Sequence, residues 1–334
     1  MPYCLRDGSR WTLFGAAGPA GGVLKGSLEE LEAALPAAVP DPRRRAALAA
    51  VLENYKFPPL SWTVGGQALP LEHPLLMGVV NITPDSFADG GRYLDPVRAV
   101  EHGLRLAGEG ADLLDIGGES TRPGAAPVPA EEELARVLPV IEWLKERCPV
   151  PLSIDTTKAA VAREALKAGA SVVNDVSALG ADPEMAAVAA EHGAALILMH
   201  RRGTPGTMQM DPRYDDLPEE VLAALGSGLD RARAAGVPDD CIVVDPGIGF
   251  GKTLDHNVWI LRHIEFCMAL GRPILMGASR KSFIGTLTDR PPDGRLPGTL
   301  AAHAAAWRKG ARIFRVHDVA AHRDFFRLEE TLDA

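Results

Sequence analysis

Three regularities in this sequence predict an α/β protein closed into a (β/α)8 barrel. Short aliphatic runs alternate with helix-length segments rich in Ala, Leu and Glu. A glycine stands at the junctions where such a segment gives way to the next run: Gly110, Gly169, Gly193, Gly236, Gly271 and Gly310. Eight runs fall within the roughly 260 residues that follow Leu75, which is the number and length of a TIM barrel.

The runs are Leu75–Asn81, Ala111–Gly117, Leu152–Asp155, Ala170–Asp175, Ala194–His200, Ile242–Gly247, Ile274–Ser279 and Ala311–His317. Largely apolar strands separated by helices imply a parallel sheet covered by those helices. A doubly wound open sheet is the alternative. Glycine at the junctions fits a helix C-terminus that needs left-handed backbone before a tight turn into a buried strand. Residues 1–60 break the pattern. Gly and Pro clusters (Gly15–Gly22, Pro36–Pro42) flank two helical candidates, Leu28–Leu35 and Arg43–Tyr55, which read as an N-terminal appendage to a barrel of residues 61–334. Trp62–Leu71, with Gly65-Gly66 at its centre, predicts a short hairpin that plugs the N-terminal face of the barrel.

Composition narrows the function. The net charge of −9 and the lack of a basic tract argue against nucleic-acid or anionic-membrane binding. Cys4, Cys148, Cys241 and Cys267 are scattered, with no Cys-x-x-Cys pair and no zinc pattern, as expected of reduced thiols in a cytoplasm. No basic n-region precedes an apolar h-region at Met1, and no apolar run is long enough to span a bilayer.

The strand ends carry the chemistry. They are Asn81, Asp115 with Glu119 beyond it, Asp155, Asn174-Asp175, His200, Asp245, Ser279-Arg280-Lys281, and Arg315 with His317-Asp318. Any one of them could be a helix cap. All eight ends being polar points to a site, because buried charge is costly unless paired or bound, and barrel strands converge their C-terminal ends on one face. Asp155, Asn174 and Asp245 are acceptors suited to a planar heterocycle with an N–H-bearing edge. Lys281, Arg280, Arg315 and His317 supply positive charge for a phosphate or diphosphate. Two Gly- and Pro-bearing loops, Thr83–Tyr93 and Gly117–Pro129, could close over such a ligand, with Arg122 as an anion contact. Gly247–Thr253 is one residue short of a nucleotide P-loop, so its glycines read as sites of close backbone approach. His303, in an Ala-rich helical pattern, reads as structural.

In series, these segments resemble the dihydropteroate synthase family. The resemblance runs from about Trp62 to the end. It rests on Met77–Gly91, Asp115–Gly124, Ser153–Lys158, Asn174-Asp-Val, Leu198-Met-His, Gly203–Gln209, Asp245–Lys252, Ser279–Ser282 and Arg315–Asp318. It implies condensation of (7,8-dihydropterin-6-yl)methyl diphosphate with 4-aminobenzoate, giving 7,8-dihydropteroate and diphosphate. It also implies roles for residues. Asp155, Asn174, Asp245 and Lys281 would hold the pterin, and Thr121, Arg122, Arg315 and His317 the diphosphate. Asn81 would contact Mg²⁺. Ser282, Phe250, Pro123 and Arg122 would shape the aminobenzoate pocket, and Asp85 would face the cation that forms at the methylene carbon. A homodimer is expected by analogy. A pterin-binding paralogue without catalysis, or a methyltetrahydrofolate-binding methyltransferase domain, are the competing readings; the Arg315-Val-His317 and Arg122 anion contacts count against the second.

Overall fold

The computed structural model describes residues 1–17, 22–82, 96–120 and 124–333. After an N-terminal unit, eight parallel strands close the expected barrel: β6 (Leu75–Asn81), β7 (Leu113–Gly117), β8 (Leu152–Asp155), β9 (Val172–Asp175), β10 (Ala195–Met199), β11 (Ile242–Asp245), β12 (Ile274–Met276) and β13 (Ala311–Val316). Closure is made by β13 against β6, with Ile313 opposite Leu75 and Val316 opposite Gly78. The helices α3 (Pro96–Gly108), α4 (Ala130–Arg147), α5 (Ala159–Ala168), α6 (Met185–Glu191), α7 (Leu217–Ala234), α8 (Leu254–Arg262), α9 (Ser282–Thr288), α10 (Leu296–Trp307) and α11 (Val319–Asp333) follow the strands. All six junction glycines have positive φ, from +60° at Gly193 to +120° at Gly169, a region other residues enter only with strain.

β11 and β12 stop at Asp245 and Met276, short of the apolar runs that predicted them. Their tails leave the ladder and become site-forming turns. The register aligns side chains across strands. Asp115 lies opposite Ser153, and Gly117 opposite Asp155, which in turn faces Asn174. With a period of two, residues 115, 153 and 155 therefore point to the same side of the sheet.

The hairpin is present as β4 (Ser61–Val64) and β5 (Gln67–Pro70), joined through Gly65 and Gly66 at φ +56° and +79°. It lies at the N-terminal face. The fully buried Trp62 donates its indole N–H to Cys241 O (3.0 Å), and Thr63 donates to Asp240 (2.8 Å), both just before β11. Residues 1–56 form β1 (Tyr3–Asp7), β2 (Arg10–Ala17) and β3 (Gly22–Gly26), an antiparallel sheet, followed by α1 (Leu28–Ala38) and α2 (Pro42–Lys56). The sheet is an addition to the two helices that the sequence predicts. A capping box between Ser27 and Glu30 starts α1, and Asp41 with Pro42 starts α2. This unit packs on the 3-10 turn Ile264–Leu270 that precedes β12. There, the buried Tyr55 hydroxyl accepts from Cys4 N (2.9 Å) and lies 3.1 and 3.2 Å from the carbonyls of Cys4 and Phe266. Asn54 adds a bond to Ala269 O (2.8 Å). Among the described residues no helix is long and apolar enough to cross a membrane.

Candidate active site

At the C-terminal mouth of the barrel the described residues line a cavity of about 540 Å³. Its walls bring together Asn81, Asp155, Asn174, Asp245, Phe250, Lys281, Ser282, Arg315 and His317, all of which were singled out from sequence. Asp85, Thr121, Arg122 and Pro123, with the segment 83–93, lie outside the described residues.

The centre is a charge cluster spanning three strands. Arg315, at the end of β13, donates through Nε to Asp115 (2.6 Å) and through Nη2 to Asp155 (2.9 Å). Burial opposes the guanidinium charge, but Asp115 and Asp155 outweigh it and hold the pKa above its ordinary value. Asp115 also accepts from Ser153 Oγ (2.7 Å) and Asn174 Nδ2 (3.1 Å). One of the two amide N–H groups of Asn174 is committed there, which leaves its other N–H and its carbonyl oxygen for a ligand. Burial raises the pKa of Asp155; Arg315 pulls it down, and Asp115 pushes it up again. Its Oδ1 is buried and has no hydrogen-bond partner among the described residues. A buried acceptor without a donor costs about 1–3 kcal/mol, so this atom calls for a ligand N–H.

Across the cavity Asp245 accepts the Gly247 N–H (2.7 Å), and burial raises its pKa against the pull of Lys281. Lys281 stands 4.5 Å above the Phe250 ring and donates to Ile248 O. Burial lowers its ammonium pKa to about 8, with Asp245 resisting. The Gly247–Gly251 turn must pass close to the preceding loop: a Cβ at Gly247 would overlap the His200 carbonyl. That contact explains the near-P-loop glycines without any nucleotide. His317 Nδ1 lies 3.0 Å from Ser279 Oγ, and Arg280 forms a bidentate pair with Asp318 (3.0 and 2.5 Å).

Some strand-end residues have structural work instead. Asp175 accepts from Ser177 N, Ser177 Oγ and Leu179 N, which closes the turn after β9. His200 is buried against Lys252 (2.8 Å), and burial together with that lysine drives its pKa well below the ordinary value. Arg202 is exposed, pairs with Glu220 (2.6 Å) and sits over Tyr214; Arg201 is partly buried, near Asp175. Glu119 anchors the second loop. It accepts Val128 N (3.1 Å) and pairs with Lys158 (2.5 Å), which also reaches the buried Glu133 (2.6 Å).

Asp115 and Ser153 are the functional positions that sequence reasoning undervalued. Asp115 stood among the strand ends, yet only the convergence of β7, β9 and β13 reveals it as the shared partner of Arg315 and Asn174. The Ser-x-Asp alternation of Ser153 and Asp155 is the signal that could have shown it.

A parallel barrel whose mouth sets buried carboxylates beside Arg315 and Lys281 defines a site for a polar heterocycle that carries an anionic group. Residues 77–317 match the family of pterin binding enzymes. A dihydropteroate synthase of Synechocystis is 46% identical over 258 residues, covering 77% of this chain and 89% of its own. The structure of Xanthomonas albilineans dihydropteroate synthase with 4-aminobenzoic acid superposes with a TM-score of 0.77 at 47% identity, covering 82% of this chain and 98% of that one. The same enzyme in complex with 7,8-dihydropteroate gives 0.74 at 44% identity, with 82% and 99% covered. This chain belongs to the dihydropteroate synthase family, the transferases of folate synthesis.

Proposed function

We propose that this chain condenses (7,8-dihydropterin-6-yl)methyl diphosphate with 4-aminobenzoate, releasing diphosphate and forming 7,8-dihydropteroate. The observation that carries the reading is Asp155 Oδ1, without a partner among the described residues, in a cavity that it shares with Asn174, Asp245 and Lys281. A 2-amino-4-oxo-pyrimidine ring offers N–H groups that Asp155, Asn174 and Asp245 can accept and a carbonyl that the Lys281 ammonium can meet. Arg315 and His317, with Thr121 and Arg122 assigned on sequence alone, would hold the diphosphate.

The bond that breaks joins the methylene carbon to the diphosphate oxygen, and the oxygen keeps the electron pair. Arg315 and His317 stabilise that growing charge. The electron-rich ring spreads the positive charge left on the carbon, and Asp85 is assigned to face it. The 4-aminobenzoate nitrogen then attacks and loses a proton to solvent. Phe250, Ser282, Pro123 and Arg122 would orient the arylamine. No nucleophile–base dyad is needed, and closure of the two loops would keep bulk water from the cation.

Mg²⁺ fits this donor set in one way. The described residues hold no cluster of three or more His, Cys, Asp or Glu that could bind a metal, but the Asn81 amide lines the cavity. Mg²⁺ commonly keeps several waters and leans on substrate phosphate oxygens with only one or two protein ligands. Asn81 would supply such a ligand, and the ion would neutralise diphosphate charge.

Residues 1–60 are taken as an appendage to the 61–334 barrel, the chain as a cytoplasmic homodimer, and its ligands as small molecules alone. The four cysteines, all buried and unpaired, suit a reducing compartment. Incubation with the pterin diphosphate, 4-aminobenzoate and Mg²⁺ should release diphosphate and dihydropteroate in equal amounts. Tight pterin binding without turnover would replace the synthase with a binding protein.

A further inference from the structure

Two histidines behind the cavity wall join the ends of β12 and β13. Ala278 N–H donates to Nε2 of His303 (3.3 Å), His303 Nδ1 lies 3.0 Å from His322 Nε2, and His322 Nδ1 lies 2.7 Å from the Asp318 carbonyl oxygen. The backbone groups fix the direction of this chain. Ala278 N–H can only donate and the Asp318 carbonyl can only accept. Each ring therefore carries one proton, on Nδ1, and accepts at Nε2. A second proton on either ring would set two N–H groups face to face.

Both rings are fully buried and pack against Phe314 and Phe326. Burial, then His322 and Lys281, hold the pKa of His303 far below its ordinary value; burial also lowers His322, against the pull of Asp318. Apolar side chains would fill this volume without desolvating four ring nitrogens. The hydrogen bonds are what the histidines add.

Those bonds fall on the turns that carry site residues. One helical turn before His303, Thr299 accepts the Arg280 N–H (3.1 Å), so α10 grips two amides of the Gly277–Lys281 segment. Arg280 itself is held at φ +57°. Ser279, between the two gripped amides, meets His317; Lys281, just after them, enters the cavity.

We infer that His303 and His322 are positioning residues that work as one relay, locking the Ser279–Lys281 turn to the His317–Asp318 turn and so fixing where Lys281 meets the pterin and His317 the diphosphate. This rests on the synthase reading of the cavity. His303→Phe and His322→Phe each keep an aromatic ring in the packing but cut the relay. In folded protein, each should lower kcat/KM for the pterin diphosphate about tenfold, and the double variant should lower it no further, since either cut breaks the same link. Unchanged kinetics in the folded single variants, or losses that multiply in the double, would overturn the inference.

Nitrogen NMR of the unmodified protein tests the geometry without a variant. Both rings should show the Nδ1–H tautomer and be neutral at about pH 7. An Nε2–H tautomer or a ring charged at that pH would refute the relay. Absence of turnover in the unmodified protein would instead count against the synthase reading and leave the ring measurement standing.

Discussion

The two mouths of the barrel are finished in opposite ways. At the N-terminal mouth, Trp62 is fully buried and spends its only polar atom on Cys241 O, while Tyr55 is tied to Cys4 and Phe266. At the C-terminal mouth, two carboxylates share one guanidinium, an acceptor of Asp155 has no donor among the described residues, and the half-buried Lys281 has its charge at risk. One barrel thus separates stability from chemistry along its axis. The polar atoms of Trp62 and Tyr55 at the first mouth are satisfied inside the fold; the Asp155 acceptor at the second awaits a ligand.

Substitutions at the two ends should therefore give opposite signatures. Asp155→Asn should lower kcat/KM for the pterin diphosphate by about 10²–10³ with a small change in melting temperature, because a charged acceptor for a ligand N–H is lost. Steady-state kinetics checks this, and a loss below about threefold would remove Asp155 from the site. Trp62→Ala should do the reverse. It should cost about 3–5 kcal/mol in denaturant unfolding and leave KM for both substrates unaltered in the folded fraction.

A pH profile sharpens the contrast. Since burial lowers Lys281 to about 8, its ammonium is present below that pH and lost above it. The free-enzyme profile of kcat/KM should accordingly fall as pH rises through about 8, and Lys281→Arg should shift or abolish that limb. A limb that stays in place in the variant assigns it to another group. The smallest effect belongs to Tyr55→Phe. Loss of its hydroxyl should destabilise the protein by about 1–2 kcal/mol without touching kinetics. A kinetic change there would show that the two mouths are coupled.

The barrel was legible because all eight strands are short aliphatic runs and six of them follow a glycine with positive φ, a purely local signal. The mouth residues were legible for the same reason, as polar ends of apolar runs. What escaped was relational. Nothing near Asp115 in sequence announces Arg315, 200 residues away, as its partner. The Ala-rich pattern reads His303 as structural, but its link to Ala278 and His322 appears only when α10 and α11 pack together. The appendage sheet escaped for another reason. Trp11, Thr12 and Phe14 in β2 favour a strand, yet Gly8 and Gly15, both at positive φ, break the run into fragments that mimic a loop.

Arg280 carries a consequence for sequence space. Its left-handed backbone suits glycine, which would relieve about 1 kcal/mol of strain. Its guanidinium, gripping Asp318 in two places, can be supplied by no residue that tolerates that backbone well. Asparagine accepts the conformation but is too short to span the gap, and lysine offers no planar fork. Position 280 therefore has no neutral neighbour one substitution away, so drift is expected to halt there while the exposed faces of the surrounding helices continue to vary.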